Sequence, residues 1–117
     1  MNSDLKTSLV QFSALVEAHP RMQTLLKGWD RTLVVHAIDN AHSYTLRFEG
    51  CRVADLRDGA APPGDGTIVV KGSEEVLTGI FSGTLNPTSE YFDGRLHLDA
   101  SESDQVKLDA VTLILWD

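Results

Sequence analysis

Residues 82–98 read SGTLNPTSEYFDGRLHL, and how this stretch is parsed decides the fold. Three breakers, Gly83, Pro87 and Gly94, hold apart short apolar pieces that obey different periods. Gly83 suits the end of one helix, Asn86-Pro87 the start of another, and Gly94 stops that second helix after a single turn carrying Tyr91 and Phe92. Leu96 and Leu98 then alternate with polar neighbours, which is the period of a strand.

Upstream, residues 71–83 read KGSEEVLTGIFSG. Ser73 can accept from the first free amides of a helix, Glu74 and Glu75 sit at the positive end of its dipole, and Val76, Leu77, Ile80 and Phe81 make its apolar stripe. Downstream, Ser101 or Ser103 opens a last helix bearing Val106, Leu108, Ala110, Val111, Leu113, Ile114, Leu115 and Trp116. That apolar sector is too wide for one stripe.

The first half supplies the sheet. Ser3 caps a helix to about Glu17, with Leu5, Leu9, Phe12 and Val16 on one face, and a short helix follows from Pro20 through Met22, Leu25 and Leu26 to Gly28. From Asp30 the period changes to two. Leu33, Val35 and Ala37 share one face of a strand, residues 39–42 turn, and Tyr44, Leu46 and Phe48 share a face of the next. A third strand passes through Val53, and after the loop at 57–66 a fourth covers 67–70. The expected sheet is an antiparallel meander with one apolar face for helices to cover.

Composition bounds the function. A chain of 117 residues suits one domain, spanning 1–117, and 17 acidic against 10 basic residues oppose the counterion release that rewards nucleic-acid binding. Nucleic acid is therefore excluded as an expected partner. No apolar run approaches the roughly 20 residues of a spanning helix, and the polar start does not resemble a signal peptide, so the expectation is a cytoplasmic protein. Cys51 is the lone cysteine and, with no base nearby in sequence, reads as structural.

Four helical segments offer more apolar surface than one face of a small sheet consumes. Ordinary core, a subunit interface and a ligand cavity would each absorb the surplus.

Residues 67–108 also resemble the sterol carrier protein-2 family. The elements that carry the resemblance stand in order: Thr67-Ile68, Ser73, Gly83, Leu85-Asn86-Pro87, Tyr91-Phe92, Gly94, Leu96 to Leu98, and Lys107-Leu108. The resemblance implies an α+β fold, a five-stranded, mainly antiparallel sheet with helices covering one face and enclosing an apolar tunnel or cavity. It implies binding and transfer of a lipid or fatty-acid-like ligand, with no catalysis, no cofactor and no metal. On this chain the ligand-binding side chains would be Val76, Leu77, Ile80 and Phe81 of the middle helix and Leu85 after it. Tyr91 and Phe92 would join them from the lid, Leu96 and Leu98 from the strand, and Val106, Leu108, Val111 and Leu115 from the closing helix. Gly83, Pro87 and Gly94 would let short helices move to admit the ligand.

Two features stand outside that pattern. The run Ala100-Ser101-Glu102-Ser103-Asp104-Gln105 is polar where a lipid mouth is expected to be apolar, and such side chains are unfavourable there unless they face water. The chain ends Ile-Leu-Trp-Asp and so lacks a Ser-Lys-Leu type peroxisomal address. The resemblance also admits an accessory role, in which the Trp116 region forms a homodimer contact or docks a partner enzyme.

Enzyme chemistry has weaker support. His19, His36, His42 and His97 lack metal-helix spacing, and Asp55, Asp58 and Asp65 around the 57–66 loop read as a solvated acidic loop rather than a cation site.

Overall fold

The computed structural model describes residues 4–62, 64 and 66–116. Elements follow in the order α1 (Asp4–Ala18), α2 (Met22–Leu25), β1 (Arg31–Ala37), β2 (His42–Glu49), β3 (Arg52–Asp58), β4 (Thr67–Gly72), α3 (Glu74–Ser82), α4 (Pro87–Phe92), β5 (Leu96–Asp99) and α5 (Glu102–Trp116). Ser3, Asp65 and Asp117, to which the sequence reading gave a helix cap, a loop carboxylate and the chain end, lie outside the described residues.

The strands form one sheet in the order β3-β2-β1-β4-β5. Pairing puts Leu33 opposite Leu46 and Ile68, and Val35 opposite Tyr44 and Val70, so alternate apolar residues line up across strands on one buried face. Asn40 helps to close the β1–β2 turn by accepting from the backbone N–H of His42 at 3.0 Å.

The antiparallel meander holds only through β3. β4 lies beside β1 and runs parallel to it, while β1–β2, β2–β3 and β4–β5 are antiparallel. The sheet is therefore mixed. β3 ends with Asp58 opposite Tyr44, near the far end of β1, and β4 begins with Thr67 opposite Thr32 at its start. From Gly59 to Pro62 the chain thus begins a crossover over the face away from the helices. Thr45 secures it there, donating to the Gly59 carbonyl at 2.7 Å and accepting from the Ala61 N–H at 3.0 Å.

Helices cover the other face. Leu5, Leu9, Phe12 and Val16 of α1 are buried, as their spacing predicts, and Phe12 meets Phe81 of α3 edge to face at 5.1 Å between centroids. Ser73 caps α3 by accepting from the Val76 N–H, and Gly83 ends it in the left-handed region at φ 85°. Asn86 caps α4 through the Ser89 N–H with Pro87 in the first turn.

α5 behaves differently. Its wide apolar sector sinks only partly into the core: Val111 is its one fully buried hydrophobe among the described residues, Leu108, Ile114, Leu115 and Trp116 are half-buried against the core, and Val106 and Leu113 are exposed. Two ends hold it down. At its start Asp104 is buried against Trp29 and Arg31, and at its end Trp116 stacks on Phe12 with centroids 5.9 Å apart. The Trp116 indole fills the place a Cβ on Gly83 would need, so this glycine answers both a backbone and a packing demand.

Candidate functional site: an apolar cleft beneath α4 and α5

Between the sheet, α3 and the α4–α5 pair lies a cleft of about 260 Å³. Its floor is Leu33 and Val70 of the sheet with Leu96 and Leu98 of β5; Phe12, Ile80 and Phe81 close one side, and Tyr91, Phe92, Val106 and Leu108 form the other. It opens to solvent, where the resemblance implied an enclosed apolar tunnel or cavity.

Eight of the residues expected to touch ligand line this cleft: Ile80, Phe81, Tyr91, Phe92, Leu96, Leu98, Val106 and Leu108. Val76, Leu77, Leu85, Val111 and Leu115 stand elsewhere. Leu77 and Val111 are fully buried in the core, Val76 is buried beside them, and Leu85 is packed against Gly79, where no Cβ would fit. A stripe on a helix mixes residues that face the sheet with residues that face a cavity, and periodicity reports only the stripe. Phe12, Leu33 and Val70 complete the wall from elements outside the signature stretch.

The lid helix buries an acid and leaves its aromatic rings partly in solvent. α4 buries Glu90, which is 4% exposed, and presents Tyr91 at 46% and Phe92 at 79% to solvent along the rim. Its Glu90 carboxylate is satisfied by Arg95, which returns after Gly94 and donates from Nε while its backbone N–H bonds the Glu90 carbonyl at 3.0 Å. The hydrogen bond from Arg95 holds the Glu90 carboxyl below its ordinary value despite burial. The acid–base pair across Gly94 was the sequence signal for this clasp.

The polar run before and within the first turn of α5 is resolved residue by residue. Ser101 accepts from the Asp104 N–H at 3.1 Å as the helix cap. Asp104 turns away from the cleft, accepting from Trp29 Nε1 at 2.8 Å and from Arg31 Nε at 3.2 Å, with the Arg31 guanidinium lying 5.8 Å over the indole centroid. Burial raises its carboxyl, yet the bonds from Trp29 and Arg31, the Arg31 charge and the Ser101 bond outweigh this and hold it below the ordinary value. Glu102 and Gln105 do reach the cleft.

Farther along, Thr88 of α4 donates to Asp109 of α5 at 2.8 Å, and both line the cleft with Thr112. This bond closes α4 onto α5.

Several other polar candidates are occupied elsewhere. Asp55 pairs with Arg57 and Asp58 with Lys6; His36 bonds Ser43 on the outward face, and Cys51 Sγ donates to the Gln23 carbonyl at 3.4 Å. Trp116, proposed above as a docking residue, is half-buried against Phe12 and Gly83.

No family model and no curated protein matches the sequence. Solved structures do match in shape. A UbiJ-SCP2 ubiquinone synthesis protein superposes with a TM-score of 0.67 at 14% identity, over 91% of this chain and 90% of that one. Palmitated sterol carrier protein 2-like 2 of Aedes aegypti gives 0.63 at 16% identity, over 92% of each. A stereoselective inverting sec-alkylsulfatase from Pseudomonas gives 0.60 at 23% identity, where 77% of this chain spans 13% of the enzyme. The chain has the sterol carrier protein 2 fold.

Proposed function

We propose that this protein binds a single-chain lipid or similar apolar molecule in the cleft beneath α4 and α5, and carries it through water without altering it. One observation bears most of the weight. The cleft is walled mostly by apolar side chains on a fold shared with sterol carrier proteins, and its rim exposes Phe92 and Val106, at 79% and 65%, where a monomer without such a ligand gains nothing from them.

The energetics suit a carrier. Each buried methylene contributes about 0.8 kcal/mol, so tail length alone gives affinity with little chemical selectivity. A volume of about 260 Å³ lies just under the roughly 300–1,000 Å³ typical of drug-sized ligands, so a long tail requires the lid to swing outward. α4, a six-residue helix tied to α5 by Thr88–Asp109, is the element best placed to do so, since α5 keeps Val111 in the core and Lys107 on the Leu25 carbonyl.

A non-catalytic role agrees with the acids. Both Glu90 and Asp104 are held low by cationic or N–H partners, the opposite of the raised value a general acid needs at neutral pH. Native mass spectrometry of the purified protein tests the reading: it predicts lipid-sized adducts removed by mild organic extraction and restored by adding a fluorescent long-chain alcohol. A protein that carries no adduct and leaves the probe's emission unchanged would refute it.

A second reading, in which the chain shelters an apolar substrate for a partner enzyme, is favoured by the exposed Val106 and Leu113 on α5 and by the fold's occurrence as a small part of an alkylsulfatase chain. It predicts that affinity capture from the host returns one enzyme, and that Leu113→Asp releases it.

A further inference from the structure

We propose that the cleft selects its ligand by headgroup charge, accepting a long-chain amphiphile whose head donates hydrogen bonds, a hydroxyl or an ammonium, and disfavouring a free carboxylate or other anionic head. This rests on the lipid-binding reading above and adds a chemical class to it.

The lining residues divide by exposure. Phe12 and Leu33 at the inner end are buried, whereas Glu102 and Asp109 at the outer end are exposed, with Gln105, Thr88 and Thr112 beside them. A tail therefore belongs inside and a head among these polar groups. Two of them are carboxylates, and among the described residues no Lys, Arg or His lines the cleft.

The nearby cations are committed elsewhere. Arg95 pairs with Glu90 and Asp93, Arg31 with Asp104, and Lys107 directs its Nζ to the Leu25 carbonyl at 2.9 Å. Helix N-termini, the other usual anion receptors, are answered from within the chain. Ser101 caps α5, whose first turn already carries Glu102 and Asp104, and Asn86 caps α4.

A carboxylate head would thus sit beside Glu102 and Asp109 with no counter-charge and lose part of its own hydration. A hydroxyl can donate to either acid, or accept from the Gln105 amide, and an ammonium gains a charge-assisted bond. Like charges a few ångströms apart in a partly exposed site are worth on the order of a tenfold change in affinity.

Displacement of a bound fluorescent long-chain alcohol tests this with three competitors of one tail length, dodecanol, dodecylamine and dodecanoate, near neutral pH and low salt. The expected result is dodecanoate weaker than dodecanol by about tenfold or more, with dodecylamine at least equal to dodecanol. The difference should shrink in high salt and nearly vanish in a Glu102→Gln, Asp109→Asn double variant, in which the new amide at the second position keeps an oxygen for Thr88. Dodecanoate binding as tightly as dodecanol to the unsubstituted protein would overturn the proposal while leaving lipid binding intact, and so would a preference unchanged in a folded double variant. Failure of the probe and all three competitors to bind would instead remove the lipid-binding reading and this inference with it.

Discussion

The Trp29 indole N–H donates to the Asp104 carboxylate at 2.8 Å, joining a residue two positions before β1 to the first turn of α5 across 75 positions of sequence. This bond and its Arg31 companion anchor the start of α5, adding to the packing of Val111, Leu108, Ile114, Leu115 and Trp116 against the core.

Asp104→Ala leaves the Trp29 N–H without its acceptor and uncovers the Arg31 charge, so it should lower stability by about 1–3 kcal/mol. Asp104→Asn, which still accepts from Trp29, should cost less. Urea denaturation read by Trp fluorescence checks both, and equal stability of all three proteins would mean that α5 is held by other contacts.

Acid should weaken the same anchor. The folded-state value of Asp104 is depressed from the ordinary 3.8, so its contribution is fully present well above pH 3.8 and disappears as pH falls through the lower folded value. Glu90, depressed from 4.5 by Arg95, behaves in the same direction. Thermal unfolding should therefore be insensitive to these two groups near neutrality and fall in midpoint below about pH 4.5. Asp104→Asn should flatten part of that fall.

Gly83→Ala combines a positive φ with a collision against Trp116. A loss of about 1–3 kcal/mol is expected from backbone strain and displaced packing together. Pairing it with Trp116→Ala isolates the two causes: the double variant should recover the packing share and retain the backbone share.

Phe92→Asp acts on a ring that is mostly in water, so stability should change by no more than about 0.5 kcal/mol. Ligand uptake should nevertheless fall severalfold, because the rim that first meets an acyl chain becomes charged. Unchanged uptake rates in stopped-flow binding would place the point of access elsewhere on the cleft.

Where a feature depended on local chemistry, it could be read from the sequence. Ser73, Gly83 and Asn86-Pro87 mark their helix ends through short-range hydrogen bonds and backbone preference, and Leu33, Val35, Leu46 and Phe48 alternate because a strand does. Features set by distant partners could not. Nothing near Thr67 says that it will lie opposite Thr32 in a parallel pair, since the same alternation serves either direction. Tyr91 and Phe92 line the cleft from the lid as the resemblance implied, but their exposure follows from the Glu90–Arg95 clasp, which buries the acid on α4 and leaves both rings along the rim. Asp104 looked like a polar blemish at a lipid mouth until Trp29 and Arg31 supplied its partners. Eight of the residues expected to touch ligand line one space because α3, α4, β5 and α5 surround it; Phe12, Leu33 and Val70 join its wall from elsewhere, since a cavity recruits walls from anywhere in the chain.

The central claim is that an apolar tail lodges between β5, α3 and the α4–α5 lid. Titration of isotope-labelled protein with dodecanol, followed by two-dimensional NMR, tests it most directly. Saturable shifts centred on Ile80, Phe81, Leu96, Val106 and Leu108, with Thr45 and Ala61 on the opposite face unmoved, are predicted. No saturable shift, or shifts centred on the crossover face, would contradict it.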